Sequence, residues 1–297
     1  MENWQLQQMQ GLTLEEKIIK SRMRIREWYE HYQGDVYISF SGGKDSTVLL
    51  DLVRTDYPDV EAVFVDTGLE YPEIREFVKT IDNCHIIRPL KSFKEIIEQE
   101  GYPILSKKTS RMLRDLQNPK PTNANSRKLY QYGIKQDGTK SKAFKLADKW
   151  QYLIDSDLRF SEKCCDYMKK EPFKRYEKET VKKPFTGVMA SDSEMRKASY
   201  LGAGCNAFKA GRSAPMGFWL EDDIWEYIKR FNVPYSKIYD MGEKRTGCVF
   251  CCFGVHLEPK DNNRFIRMKK SHPKLHKYCM EELGFKKVLD ELNIRSE

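Results

Sequence analysis

The chain has 297 residues, of which 40% are hydrophobic and 32% charged, with a net charge of +8. This length suits one large α/β domain or a main domain with an appendage, and the apolar content is enough for a buried core. No apolar run approaches the roughly 18 residues of a membrane helix, and Met1-Glu-Asn-Trp-Gln lacks the basic-then-apolar pattern of a signal peptide, so a cytoplasmic protein with no membrane partner is expected.

Thr13-Leu-Glu-Glu16 is a capping box and predicts a helix over 14–33, ended by Gly34. Asp35-Val-Tyr-Ile-Ser-Phe40 reads as a short buried strand, and a helix resumes at Ser46–Arg54 with Val48, Leu49, Leu52 and Val53. Glu61-Ala-Val-Phe-Val-Asp66 is a second strand, Pro72 opens a helix to about Ile81, and Cys84-His-Ile-Ile-Arg88 is a third strand. A second capping box, Ser92-Phe-Lys-Glu95, opens a helix that stops at Gly101. Strands alternating with helices at this spacing predict βαβ units and a parallel sheet.

Residues 105–160 are polar and basic, broken by Asn118-Pro-Lys-Pro121 and Asp137-Gly138, and read as an insertion or lid. Between Leu105 and Trp150 there are twelve Lys or Arg and three Asp, so this stretch accounts for the whole positive excess. Such a patch suits a polyanion, either nucleic acid or a phosphate-rich small molecule; the alternative is a solvated, flexible insertion. Pro184–Met189 is a further core strand, followed by the weaker capping signal Ser191-Asp-Ser-Glu194. Trp219–Phe231 is an amphipathic helix, and a last helix is predicted over about 274–292. The expected organisation is an N-terminal helix in 1–34, a nucleotide-binding domain in 35–215 carrying the basic insertion, and a small C-terminal helical and cysteine-bearing region in 216–297.

Between the first strand and its helix lies Ser39-Phe40-Ser41-Gly42-Gly43-Lys44-Asp45-Ser46. Gly42 and Gly43 let the backbone turn tightly and bring N–H groups against phosphate oxygens. The helix start adds its positive end, Lys44 a full charge, and Ser41 and Ser46 hydroxyls. Asp45 could orient the loop or help hold Mg²⁺. An adenine nucleotide is the expected ligand. The Walker A spacing is absent. Asp66, at a strand's C-terminal end, is placed either to meet a ligand or to cap the next turn.

The eight cysteines in a reducing compartment should not form a disulfide framework. Five fall in two clusters, Cys164-Cys165 and Cys248-Val-Phe-Cys251-Cys252, which points to metal or redox work.

Ser-Gly-Gly-Lys-Asp-Ser resembles the PP-loop of the adenine-nucleotide α-hydrolases, also called ATP pyrophosphatases. Val65-Asp66-Thr67-Gly68 with Glu70-Tyr-Pro-Glu73 resembles the branch holding the phosphoadenosine phosphosulfate (PAPS) reductases and the small subunit of ATP sulfurylase. Lys163–Pro172, Pro184–Arg196 and Gly217–Ile228 are similar to the reductases' cysteine-pair segment, arginine-bearing turn and tryptophan-rich helix, so the similarity runs over about 35–255 and skips the basic insertion. The resemblance implies an α/β fold with a doubly wound parallel sheet. The nucleotide would lie on the loop beside Asp66, Thr67 and Gly68, with Lys44, Asp45 and Arg196 in catalysis. It further implies a [4Fe–4S] cluster on Cys164, Cys165, Cys248 and Cys251, with Cys205 or Cys252 as alternates. A Cys₄ zinc site is the alternative.

Three functions are then expected. In the first, Mg·ATP is cleaved between its α and β phosphates, an acceptor such as a tRNA base or the DNA backbone is adenylated, and sulfur from a cluster-bound or partner-protein donor displaces AMP. Retention of Lys44 and Asp45 favours this, because the reductases usually carry a degenerate loop. In the second, the protein is a sulfonucleotide reductase acting on adenosine phosphosulfate (APS) or PAPS; here the chain ends in Ile-Arg-Ser-Glu297 rather than the reductases' Glu-Cys-Gly tail. In the third, it is a nucleotide-binding subunit of a larger complex.

Overall fold

The computed structural model describes residues 1–297. Its elements follow in the order α1 (Asn3–Gln10), α2 (Leu14–His31), β1 (Val36–Phe40), α3 (Lys44–Asp56), β2 (Ala62–Val65), α4 (Pro72–Lys79), β3 (Cys84–Ile87), α5 (Phe93–Glu100), β4 (Ile104–Leu105), α6 (Lys107–Gln117) and α7 (Ala124–Tyr132). The second half continues with α8 (Glu171–Thr180), β5 (Lys183–Thr186), α9 (Glu194–Ala203), β6 (Asn206–Ala207), β7 (Arg212–Ser213), α10 (Glu221–Phe231), β8 (Cys252–Phe253), α11 (Arg264–Ser271), α12 (Pro273–Lys277) and α13 (Phe285–Glu291). The chain forms two compact units, Met1–Arg88 with Pro172–Gly247, and Pro89–Glu171 with Cys248–Glu297.

The first unit is an α/β fold around a six-stranded sheet of order β3-β2-β1-β5-β7-β6, parallel except for β6 against β7. β1 and β2 are short β-branched and aromatic runs buried almost throughout, as a strand covered on both faces must be. The chain passes from β1 outward to β2 and β3 and then returns to place β5 on the other side of β1. The gap between β1 and β5 is therefore the point where winding reverses, the position at which open α/β sheets take ligands. α3 buries Val48, Leu49, Leu52 and Val53. α2 begins with the capping box, Thr13 Oγ1 accepting from the Glu16 amide and Glu16 accepting from the Thr13 amide. It meets α10 through Lys17, 1% exposed, whose ammonium lies 2.7 Å from Asp223. Ser21 adds a bond to the Pro215 carbonyl and accepts from the Trp219 indole N–H.

The second unit holds the short parallel pair β4–β8 and the helices α5, α6, α7 and α11–α13. Residues 105–160 are not a loose appendage of the sheet domain. Among its lysines, α6 carries an apolar stripe, Met112, Leu113 and Leu116, that is buried, as are Leu146 and Leu153. The division into units thus differs from the expected boundaries at 34 and 215, because residues 89–171 fold with the C-terminal segment rather than with the sheet.

Two further differences have local causes. The single helix expected over 274–292 is interrupted by a π-turn at Tyr278–Glu282 and by Gly284 at φ +72°, where an added Cβ would stand 2.8 Å from the Tyr102 hydroxyl. His276 is buried and its Nε2 bonds the Ser296 carbonyl. α1 escaped the sequence reading because only Leu6 in it is buried.

Breaking the buried Lys17–Asp223 pair leaves a charge without a partner, so Lys17→Ala is expected to cost about 3 kcal/mol in urea unfolding. Arg230→Ala, which removes the exposed pair to Glu15, is expected to cost below about 0.5 kcal/mol.

Candidate functional site

The loop after β1 lies at the reversal point of the sheet. Gly42 takes φ +71°, and a Cβ there would come within 2.8 Å of Ile74 Cγ2 on α4. A Cβ on Gly43 would stand 2.6 Å from Thr246 Oγ1. Gly42 is therefore required both by the turn and by the packing around it, whereas Gly43, at φ −83°, is favoured by packing alone. The Ser41 amide donates to Ser46 Oγ at 3.1 Å, and Ser46 Oγ donates to the Gly43 carbonyl at 2.9 Å, which rigidifies the turn. The expected loop residues Ser39 to Ser46 are thus brought together. Across the reversal point, a Cβ on Gly187, just past β5, would be 3.1 Å from the Asp45–Ser46 peptide, so the end of β5 lies directly against the start of α3.

At the start of α3 the first amides have no partner within the helix. The Lys44 amide donates to the Tyr239 hydroxyl at 2.8 Å, and that hydroxyl is 3.2 Å from Thr246 Oγ1. The Asp45 and Ser46 amides make no hydrogen bond to another protein group. Lys44 is 5% exposed; its ammonium lies 3.2 Å from Asp45 and 3.3 Å from Glu221, and about 6 Å from the ring centres of Trp225 and Tyr239. Burial works against the Lys44 charge, but Asp45 and Glu221 outweigh it and raise its pKa. Burial raises the Asp45 pKa, with Lys44 opposing.

The segment after β2 forms a second wall. Asp66, 9% exposed, accepts from the Gly68 amide at 3.2 Å and pairs with Arg75 at 2.9 Å and Arg88 at 3.5 Å. It therefore caps the Thr67-Gly68 turn while holding two arginines. Thr67 is fixed by Glu70, which accepts from its hydroxyl at 2.6 Å and from its amide at 3.1 Å. Beyond β5, Arg196 pairs with Asp192 and lines a cavity of about 430 Å³ together with Thr186, Tyr200, Cys205 and Arg212.

In the second unit, Cys164, Cys165, Cys248 and Cys251 act on one another electrostatically. Within the vicinal pair, hydrogen bonding from Cys164 makes Cys165 the thiol that ionises first, at about 6, helped by Lys107 and Lys169; Cys164 is pushed up. Arg264 donates to the Cys251 carbonyl at 2.9 Å and holds that turn. No three Cys, His, Asp or Glu side chains converge tightly enough to ligate one ion. Of the two alternates, Cys252 is buried in β8, acted on by Cys279, and Cys205 belongs to the first unit, 3.4 Å from the Tyr200 hydroxyl. Cys84 is half-buried on β3, and burial raises its pKa to about 11.

A family model for the phosphoadenosine phosphosulfate reductase domain matches residues 35–112 and 109–253. The chain belongs to that family. It is 28% identical over 263 residues to an uncharacterized protein of Methanocaldococcus jannaschii, covering 86% of this chain and 50% of that one, so it spans half of this relative's length. It is 25% identical over 259 residues to an adenosine 5'-phosphosulfate reductase of Anoxybacillus flavithermus, covering 86% of this chain and 89% of the relative. A PAPS reductase structure from Candida auris, a phosphate complex, overlays with a TM-score of 0.43 at 16% identity, covering 84% of this chain and 96% of that one.

Within this family member, sequence reading missed Tyr239, Thr246 and Glu221. A tyrosine or glutamate some 180–200 positions from the loop has no local signature. The one available hint is that Glu221 opens the helix carrying Trp225.

Gly42→Ala is expected to lose about 2 kcal/mol or more of stability through the clash with Ile74 and the positive φ. Tyr239→Phe frees the Lys44 amide, and pyrophosphate affinity is expected to rise about tenfold, one hydrogen bond's worth, by isothermal titration. Unchanged affinity would show that the Tyr239 hydroxyl does not compete for the loop.

Proposed function

We propose that this enzyme of the PAPS reductase family is a sulfonucleotide reductase, binding APS or PAPS on the Ser39–Ser46 loop. One observation carries the reading. The Lys44 amide is taken by Tyr239 and its ammonium by Asp45 and Glu221, so the helix start is left with two amides, Asp45 and Ser46, that have no protein partner. Two amides suit the single 5'-phosphate of a sulfonucleotide better than a triphosphate with its metal. A magnesium ion on Asp45 would also meet the Lys44 charge 3.2 Å away. The similarity to APS reductases over most of their length supports the same choice.

In this reading the Asp45 and Ser46 amides hold the phosphate, and Asp66, Thr67 and Gly68 bound the nucleoside side of the loop. Arg196 and Arg212, in the cavity wall past β5, meet the sulfate end. A thiolate attacks the sulfate sulfur, the S–O bond to the nucleotide breaks, and AMP or adenosine bisphosphate leaves. A second thiol then displaces sulfite from the resulting S-sulfonate and a disulfide forms. All eight cysteines are buried or half-buried, so a partner dithiol is the natural reductant.

Cys164, Cys165, Cys248 and Cys251 are the residues we assign to a [4Fe–4S] cluster. Four thiolates are what such a cluster needs, and Lys107, Lys169 and Arg264 offset their charge. Bound there, the cluster would supply a redox-capable centre.

A second reading is favoured by Lys44 and Asp45 themselves: release of the ammonium from its carboxylates would arm the loop for ATP, with adenylation of an acceptor and transfer of sulfur to it. One assay separates the two. Sulfite release from APS or PAPS with a reducing dithiol, and no pyrophosphate release from Mg·ATP, is the expected outcome; pyrophosphate without sulfite would overturn the first reading in favour of the second. Lys44→Ala leaves Asp45 and Glu221 without their cation beside the bound phosphate, and is expected to lower the rate at least about tenfold.

Anaerobic purification is expected to yield a brown protein with about four irons and four acid-labile sulfides per chain, lost in Cys248→Ser. A colourless protein with one zinc would contradict the cluster assignment.

A further inference from the structure

We propose that the face of the second unit built from α6, α7 and the segment 133–150 binds single-stranded nucleic acid. The inference does not depend on the sulfonucleotide reading. It starts from a charge imbalance that folding leaves intact. The three acids between Leu105 and Trp150 are all engaged: Asp115 pairs with Arg114, Asp148 with Lys145, and Asp137 accepts from the amide and hydroxyl of Thr139. Arg111, Lys128, Lys135, Lys140, Lys142 and Lys149 carry no ion pair to a carboxylate, and all six are exposed.

These cations belong to one continuous surface. Residues 133–141 form a hairpin, with Ile134 bridged to Lys140, the Lys135 amide donating to the Thr139 carbonyl at 2.8 Å, and the Ser141 amide donating to the Gly133 carbonyl at 2.7 Å. Lys135 and Lys140 therefore stand on an ordered arm. The chain beyond the arm is tied to α7 by the Leu146 amide donating to the Tyr130 carbonyl at 2.7 Å. It is tied to the start of α6 by Lys108, which donates to the Ala143 carbonyl at 2.6 Å and lies 5.1 Å from the Phe144 ring centre. Arg111 is one turn along α6 from Lys108, and Lys128 one turn before Tyr132 on α7, so each shares its neighbour's helix face.

The aromatic residues decide the kind of polyanion. Tyr132 is 61% exposed and Phe144 48%, and Lys149 lies 5.1 Å from the Trp150 ring centre. Large rings left in water among unpaired cations suit unstacked bases beside a phosphodiester backbone. A duplex would offer the phosphates but keep its base faces stacked, and an acidic peptide would make no use of the rings.

The test is fluorescence anisotropy of the full chain with labelled oligouridylate, oligothymidylate, a blunt duplex and polyglutamate at several salt concentrations. Binding to either single strand is expected, with a log–log salt slope of about −3 or steeper, reporting about four or more phosphate contacts. The RNA and DNA arms show which backbone is preferred. Lys135→Glu/Lys140→Glu/Lys142→Glu is expected to weaken binding at least tenfold and flatten the slope. Tyr132→Ala is expected to weaken single-strand binding several-fold at unchanged slope. Lys178→Glu, an exposed charge on the first unit, serves as the control and is expected to bind as the parent does. Thermal unfolding of each variant separates loss of binding from loss of fold. Equal binding of polyglutamate or duplex, or binding untouched by the triple reversal in a folded protein, would overturn the proposal.

Discussion

The Lys44 ammonium is the charge around which the nucleotide unit is organised. It sits nearly buried at the first position of α3, and burial alone would disfavour it. Asp45 and Glu221 keep it charged, one from its own helix and one from the start of α10. α10 is anchored in turn by Asp223, two residues on, through the buried pair to Lys17 of α2. The loop, the helix that follows it, and the two helices that brace it are thus connected by charge pairs, of which Lys17–Asp223 is the most deeply buried.

That arrangement also shapes what the loop can accept. A helix start with open amides is a general anion site, but here one amide is closed by Tyr239 and the lysine is turned inward. Tyr239 is held by Thr246, and after one glycine the chain enters Cys248. The loop sequence reads as a grip for a nucleotide's phosphates; in the proposed sulfonucleotide reading its three-dimensional setting narrows that grip toward a short anionic group.

The parts of the molecule legible in the sequence were those whose cause is local. The capping boxes at Thr13 and Ser92, the buried runs of β1 and β2, and the glycine loop all rest on residues within a few positions of each other, and each stands where expected to within about two residues. What was not legible depended on distant partners. The basic stretch reads as an insertion because lysines surround Met112, Leu113 and Leu116, and the apolar stripe shows its role only once the C-terminal segment packs in the same unit. The break in the last helix needed Tyr102 against Gly284, and the closure of the Lys44 amide needed Tyr239; neither contact has a trace in spacing. Asp66 does two jobs at once, capping a turn and holding Arg75 and Arg88, so a choice between capping and ligand contact was too narrow a question for that residue.

The most direct measurement is the affinity of the intact protein for APS and for Mg·ATP, determined side by side by isothermal titration calorimetry. If the inward-turned Lys44 and the Tyr239 hydroxyl set the loop for a short anion, APS binds at least about tenfold more tightly, a difference of about 1.4 kcal/mol. Equal or tighter binding of Mg·ATP would contradict that reading of the loop.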